Sequence, residues 1–119
     1  MRIFHIPAYT DNYIWVMQSG SDISIIDPGD ASPVLNHIKN NDLNIVDILL
    51  THHHFDHVGG TLELKKQLDG KVYGPIGDIE GVDINVSEND KVNTLGYEFS
   101  VLETPGHTLD HIAYVENKN

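Results

Sequence analysis

The sequence predicts a mixed α/β fold built in layers, and three observations predict it. A β-rich hairpin leads the chain, strand and helix signals then alternate, and further strands close it; both histidine-bearing segments follow directly on strands. Rigid sheets usually present functional groups on such loops.

Residues 13–18 and 23–27 are rich in β-branched and aromatic side chains and flank Ser19-Gly20-Ser21-Asp22, the pattern of a hairpin. Pro28-Gly29-Asp30 ends the second strand. Ser32 is placed to cap a helix with Pro33 at its first position and Val34, Leu35 and Ile38 as its apolar face. Ile45 to Leu50 reads as a strand interrupted only by Asp47, and it leads straight into the histidines. After Gly59-Gly60 a second helix is predicted over about 61–69, with Leu64 and Leu68 one turn apart and Gly70 as its stop. Lys71 to Gly74 forms the next strand, 76–91 is an acidic loop with short extended pieces, and Tyr97 to Leu102 alternates as a strand that breaks at Thr104-Pro105-Gly106. Ile112 to Val115 is the last strand. No repeat, linker or internal boundary interrupts the 119 residues.

Composition narrows the function. With 18 acidic against 7 basic residues the net charge is −11, which repels phosphate backbones and anionic lipid. Nucleic-acid or membrane partners are therefore not expected. Cysteine is absent, which removes disulfides, thiolate zinc sites and thiol catalysis. The opening Met1-Arg2-Ile3-Phe4-His5-Ile6-Pro7 is too short and interrupted for a signal peptide, and no apolar stretch reaches the length of a membrane span. A soluble cytoplasmic protein is expected.

The chemistry concentrates in Thr51-His52-His53-His54-Phe55-Asp56-His57. If the chain stays extended on leaving its strand, residues 52, 54 and 56 project to one side, and His57 approaches from a turning backbone. Gly59-Gly60 removes side-chain bulk where the chain turns into the next helix. Imidazole and carboxylate are ordinary ligands for zinc and similar metals. Four potential ligands within six residues exceed what one tetrahedral ion with an open position needs. The economical reading is two adjacent metals, roughly 3.5–4 Å apart. A surface histidine tract is the bland alternative, opposed by Asp56, the glycine pair and the apolar strand before them. His107, in Thr104-Pro105-Gly106-His107-Thr108, is the obvious distant ligand. His5 and His37 carry no signal, His111 reads as structural, and His53 reads as part of the loop's own hydrogen bonding. Tyr13 and Trp15 read as core.

These residues resemble the metallo-β-lactamase superfamily, whose signature is His-x-His-x-Asp-His, and within it the glyoxalase II family, the hydroxyacylglutathione hydrolases. The resemblance rests on Asp11-Asn12-Tyr13-Ile14-Trp15, on Thr51 to Gly60 and on Thr104 to Thr108, and spans essentially all 119 residues in order. It implies an αββα sandwich, of which this chain covers roughly the first sheet and its helices, so that 1–119 is the N-terminal half of one domain. By the same resemblance His52, His54 and His107 bind the first metal, and Asp56 and His57 begin the second site. Asp27, in Ile26-Asp27-Pro28-Gly29, resembles the early aspartate that supports the ligands from behind. A strand-ending turn residue is its equally simple reading. The family's bridging aspartate, last histidine and most glutathione contacts come later than Asn119. A half-sandwich is expected to leave an apolar sheet face exposed and to dimerise, aggregate or lose order.

The resemblance implies thioester hydrolysis, S-lactoylglutathione giving lactate and glutathione, with two divalent metals, zinc first and iron or manganese as alternatives. The nucleophile would be a metal-bound hydroxide, with Asp56 as the catalytic residue that orients the water. The rival readings are a lactonase, phosphodiesterase or β-lactamase of the same fold, an iron dioxygenase of the same superfamily, and a non-catalytic metal-binding fragment. The 119-residue chain alone is expected to be inactive.

Overall fold

Alternation along the first strands sorts their side chains between two cores. In a computed structural model, which describes residues 1–8, 12–52, 59–77, 79–103 and 112–117, the strands β1 (Arg2–Ala8), β2 (Asn12–Ser19) and β3 (Asp22–Ile26) form an antiparallel meander. Gly20, at φ +63°, occupies the first central position of the two-residue turn between β2 and β3. A left-handed residue there matches the twist of the paired strands. Ile14, Val16, Ile23 and Ile25 point to one face, where they are fully buried.

That face is covered by helices. α1 (Ala31–Asn41) starts at Asp30, whose carboxylate accepts from the Ser32 amide at 3.1 Å. The cap is thus Asp30 rather than the predicted Ser32, and Pro33 is third in the helix. The change is harmless, because the first turn has no internal partners for its N–H groups. The helix ends at Asp42, left-handed at φ 54°, whose amide returns to the Ile38 carbonyl. Val34, Leu35 and Ile38 pack on the sheet as predicted.

β4 (Asn44–Leu49) joins β3 in parallel, and its register skips Val46: Ile23 faces Ile45, then Ser24 faces Asp47. The bulge lets Ile45 and Ile48 both face the helices while Asp47 and Leu49 face the opposite side. The predicted second helix is shorter than expected. α2 covers Thr61–Lys65, and the chain then tightens into i→i+3 bonds through Leu68 before the Asp69 amide docks on the Ile45 carbonyl at 3.1 Å. Gly70 is required by proximity: a Cβ there would fall 1.9 Å from the Val46 carbonyl oxygen. β5 (Val72–Pro75) and β6 (Ile84–Val86) extend the sheet in parallel to six strands, in the order β1 to β6.

A second sheet stands against the first. β7 (Lys91–Thr94), β8 (Tyr97–Glu103) and β9 (Ile112–Glu116) pair antiparallel. Val92, Val101 and Ile112 meet Leu49 and Val86 between the sheets, with Ile26, Tyr73 and Tyr114 around them. Each such aliphatic side chain, fully buried, stabilises the fold by about 1.5–3 kcal/mol. Polar contacts cross the same space: the Thr94 hydroxyl donates to Asp47 Oδ2 at 2.6 Å and lies 2.5 Å from Ser24 Oγ. The layers are therefore helices, six-stranded sheet and three-stranded sheet.

Away from the helices, much of β1 and the first part of β2 is open to solvent. On that side Ile3, Tyr13 and Trp15 are 61%, 53% and 46% exposed, with the His5 ring 4.6 Å from Tyr13 and 5.2 Å from Trp15. Reading Tyr13 and Trp15 as core is corrected here. Their strand buries Ile14 and Val16 on its helix face, and on the other face it buries Met17 while these two residues stay open.

Candidate metal-binding site

The carboxyl ends of the parallel strands β3 and β4 lie side by side, the edge at which α/β sheets commonly carry their ligands. Just beyond β3, Asp27 takes a left-handed conformation at φ 53°, before a proline. Such a backbone is uncommon outside glycine, and aspartate is among the residues that tolerate it. Its amide donates to the Leu49 carbonyl at 3.0 Å and its own carbonyl accepts from Gly29 at 2.9 Å. The turn therefore stays attached to the end of β4.

The Asp27 side chain is buried and reaches the residue that precedes the histidines. The Thr51 amide donates to Asp27 Oδ1 at 2.8 Å, and the Thr51 hydroxyl donates to Asp27 Oδ2 at 2.6 Å. On the other side of that hydroxyl, Thr51 Oγ1 lies 2.8 Å from Nδ1 of His52, itself buried at 4% exposure. A buried carboxylate is held by hydrogen bonds. Asp27 thus ends its strand and is linked through the Thr51 hydroxyl to the first histidine of the run.

Two further contacts fix the bases of the segments that carry the remaining candidates. The Ile112 amide, at the start of β9, donates to the Thr51 carbonyl at 2.8 Å, and the Gly60 amide donates to the Pro28 carbonyl at 2.8 Å. Residue 112 thereby joins the second histidine segment's far end to the first one's beginning. Tyr114, two residues on, donates its hydroxyl to the Leu50 carbonyl at 2.7 Å. Burial, and secondarily the negative charge of Asp27, push its phenol well above the ordinary tyrosine range, so it remains a donor.

Of the sequence-predicted residues, Asp27 and His52 are brought into one hydrogen-bonded chain. His54, Asp56, His57 and His107 lie outside the described residues, as do His53 and His111. Among the described residues no group of three or more His, Asp or Glu side chains forms a metal cluster. Thr51 and Tyr114 carry roles that motif reading missed. A hydroxyl residue between an apolar strand and a histidine was the one local signal for Thr51; for Tyr114, 63 positions from Thr51, there was none.

Comparison with known proteins decides the family. The sequence model of the Metallo-beta-lactamase superfamily matches residues 10–118. The chain belongs to the metallo-beta-lactamase superfamily. Hydroxyacylglutathione hydrolase from Pseudomonas syringae pv. syringae is 48% identical over 118 residues, covering 96% of this chain and 46% of that protein. Hydroxyacylglutathione hydrolase from Hahella chejuensis is 48% identical over 115 residues, covering 95% of this chain and 45% of that protein. Among solved structures, ETHE1 from Myxococcus xanthus superposes with a TM-score of 0.81 at 25% identity, covering 98% of this chain and 54% of that one. The metallo-beta-lactamase fold expected from the motif is the one observed, with three strands of the second sheet already in place. The chain spans about half the length of the curated relatives it matches. Among the described residues no helix is long and apolar enough to cross a membrane.

Proposed function

We propose that this chain is the N-terminal half of a metal-dependent thioester hydrolase that converts S-lactoylglutathione and water to lactate and glutathione. The observation that carries the reading is His52: it opens the His-x-His-x-Asp-His run at a sheet edge and is held through Thr51 by the buried Asp27 carboxylate. Such backing is how metal-binding histidines are oriented. The curated relatives that match at 48% identity bear the name hydroxyacylglutathione hydrolase, which supports the thioester over a lactone or β-lactam.

The donor set of neutral imidazoles and one carboxylate suits zinc, with iron and manganese as alternatives. His52, His54 and His107 would hold one ion, and Asp56 and His57 would contribute to a second. Divalent metal bound there supplies Lewis acidity, lowering the pKa of water and polarising a carbonyl. Asp56 orients the attacking water toward the thioester carbonyl. The carbon–sulfur bond breaks, and the sulfur leaves as glutathione thiolate, a leaving group that needs no strong general acid. Asp27 and Thr51 stay out of the reaction and hold His52 in place. The same reading makes the substrate a glutathione conjugate, the partners small molecules and the compartment the cytoplasm.

Turnover of S-lactoylglutathione against a lactone and a β-lactam by the metal-loaded full-length protein tests this. Preferential thioester hydrolysis is expected. Lactone or β-lactam turnover with an inert thioester would replace the substrate assignment, and one iron per chain with oxygen consumption would replace the reaction.

A further inference from the structure

Thr51 has one hydroxyl proton and two neighbours competing to define it. On one side lies Asp27 Oδ2 at 2.6 Å; on the other lies His52 Nδ1 at 2.8 Å. A carboxylate oxygen can only accept, so the proton points to Asp27. The Thr51 oxygen then has only lone pairs to offer His52, and the contact exists only if Nδ1 carries a hydrogen. A neutral imidazole carries one ring hydrogen, so Nε2 is left with its lone pair.

We infer that Thr51 is a positioning residue that sets the tautomer of His52, acting as a one-proton relay that transmits the acceptor character of Asp27 to the far nitrogen of the ring. Rings that bind metal this way usually hydrogen-bond carboxylate, backbone carbonyl or water. Here a threonine hydroxyl is interposed, and it works only because the Thr51 amide pins the other carboxylate oxygen at 2.8 Å. The two bonds from one residue to both oxygens fix the carboxylate plane, so the hydroxyl has a single direction in which to donate. This deepens the proposed metal site and rests on it for its purpose, though the hydrogen-bond polarity itself stands on the geometry of three residues.

The polarity can be reversed. In Thr51→Val the Nδ1–H has no hydroxyl to enter, while the amide bond to Asp27 is kept. In Asp27→Asn the amide oxygen can keep the Thr51 N–H and the amide nitrogen then donates to Thr51 Oγ1. The Thr51 proton swings to Nδ1 of His52, and the ring hydrogen moves to Nε2. In Thr51→Ser the relay is preserved.

The test is long-range proton–nitrogen correlation of the metal-free full-length protein at alkaline pH, where the ring is neutral, followed by zinc titration of each variant. The expected pattern is the Nδ1–H form of His52 in the parent and Thr51→Ser, its loss in Thr51→Val, and the Nε2–H form in Asp27→Asn. Zinc affinity should fall roughly 10- to 100-fold in the last two and recover in the serine variant. Retention of the Nδ1–H form in Asp27→Asn overturns the inference, whatever the valine variant shows. Because the tautomer is read without metal, a failure of the site reading shows separately, as unchanged zinc affinity in His52→Ala. Asp27→Asn is close to isosteric, so the inference remains open to refutation even if the valine variant does not fold.

Discussion

The amide of Gly60 donates to the carbonyl of Pro28 at 2.8 Å, and no side chain can be added at that glycine without collision. A Cβ on Gly60 would meet Ala31 N at 2.6 Å, Pro28 O at 2.7 Å and Asp30 C at 2.8 Å, all backbone atoms of the turn that carries Asp27 and caps α1. Its backbone, at φ −92°, is one any residue could adopt, so space and not conformational freedom makes the glycine necessary. The close approach ties the segment after the histidine run to the segment after β3.

Gly60→Ala is therefore expected to destabilise the protein by about 1–3 kcal/mol, as overpacking does, and to weaken metal binding together with stability. Gly20→Asn should stay within about 1 kcal/mol of the parent, since asparagine tolerates a positive φ and nothing lies within 4 Å of the position. Urea denaturation of the two variants measures the contrast. Equal stabilities would show that the turn moves aside freely.

Removal of His54 or His107 should abolish thioester hydrolysis in the full-length protein and reduce bound metal, measured by turnover and elemental analysis of the same preparation. Full activity in either variant would remove that residue from the ligand set.

Thr94→Val should separate stability from function. It takes away the hydroxyl that bonds Asp47 and Ser24 between the sheets, leaving buried polar atoms short of a partner. A loss of about 1–3 kcal/mol is expected, with zinc affinity unchanged, because the contact lies on the body of the strands and not at their carboxyl ends. Thermal unfolding and metal titration read the two effects independently.

Tyr114 provides a pH signature. Its pKa is raised in the folded protein by burial and by Asp27, so the folded state holds the phenolic proton more tightly than the unfolded one. The associated stability is present below the unfolded tyrosine value of about 10 and is lost as pH rises above it. Tyr114→Phe should flatten the decline of stability above that pH, while also losing the bond to the Leu50 carbonyl. Denaturation midpoints between neutral and strongly alkaline pH check the slope. An unchanged slope in the phenylalanine variant would contradict the sign.

Residues 1–119 produced alone should be inactive toward the thioester and prone to self-association, because Ile3, Tyr13 and Trp15 leave an apolar strip on β1 and β2 open to water. Trp15 is the sole tryptophan, so its emission and quenching by iodide report directly on that strip. A monodisperse, active preparation with protected tryptophan would refute the expectation.

Local pattern determined much of this protein by itself. Two-residue alternation placed β2 and β3, Gly20 marked their turn, and the spacing of Val34, Leu35 and Ile38 placed α1, because each of these depends on neighbours within one turn or one strand. The histidine run and the family it belongs to were legible for the same reason: four potential ligands in six residues are a local fact. Tertiary structure decided what depends on distant partners. β1 pairs along an edge and offers only one face to the helix-side core, so its alternation was weak. β7 turns into β8 through Leu95 and Gly96, both left-handed, and a leucine gives no turn signal there. Tyr13 and Trp15 looked like core because hydrophobicity does not say which sheet face is covered. The roles of Asp27, Thr51 and Tyr114 arise where β3, β4 and β9 converge. There Thr51 donates to Asp27 and Tyr114 donates to the Leu50 carbonyl, through hydrogen bonds whose length and direction only the folded chain supplies.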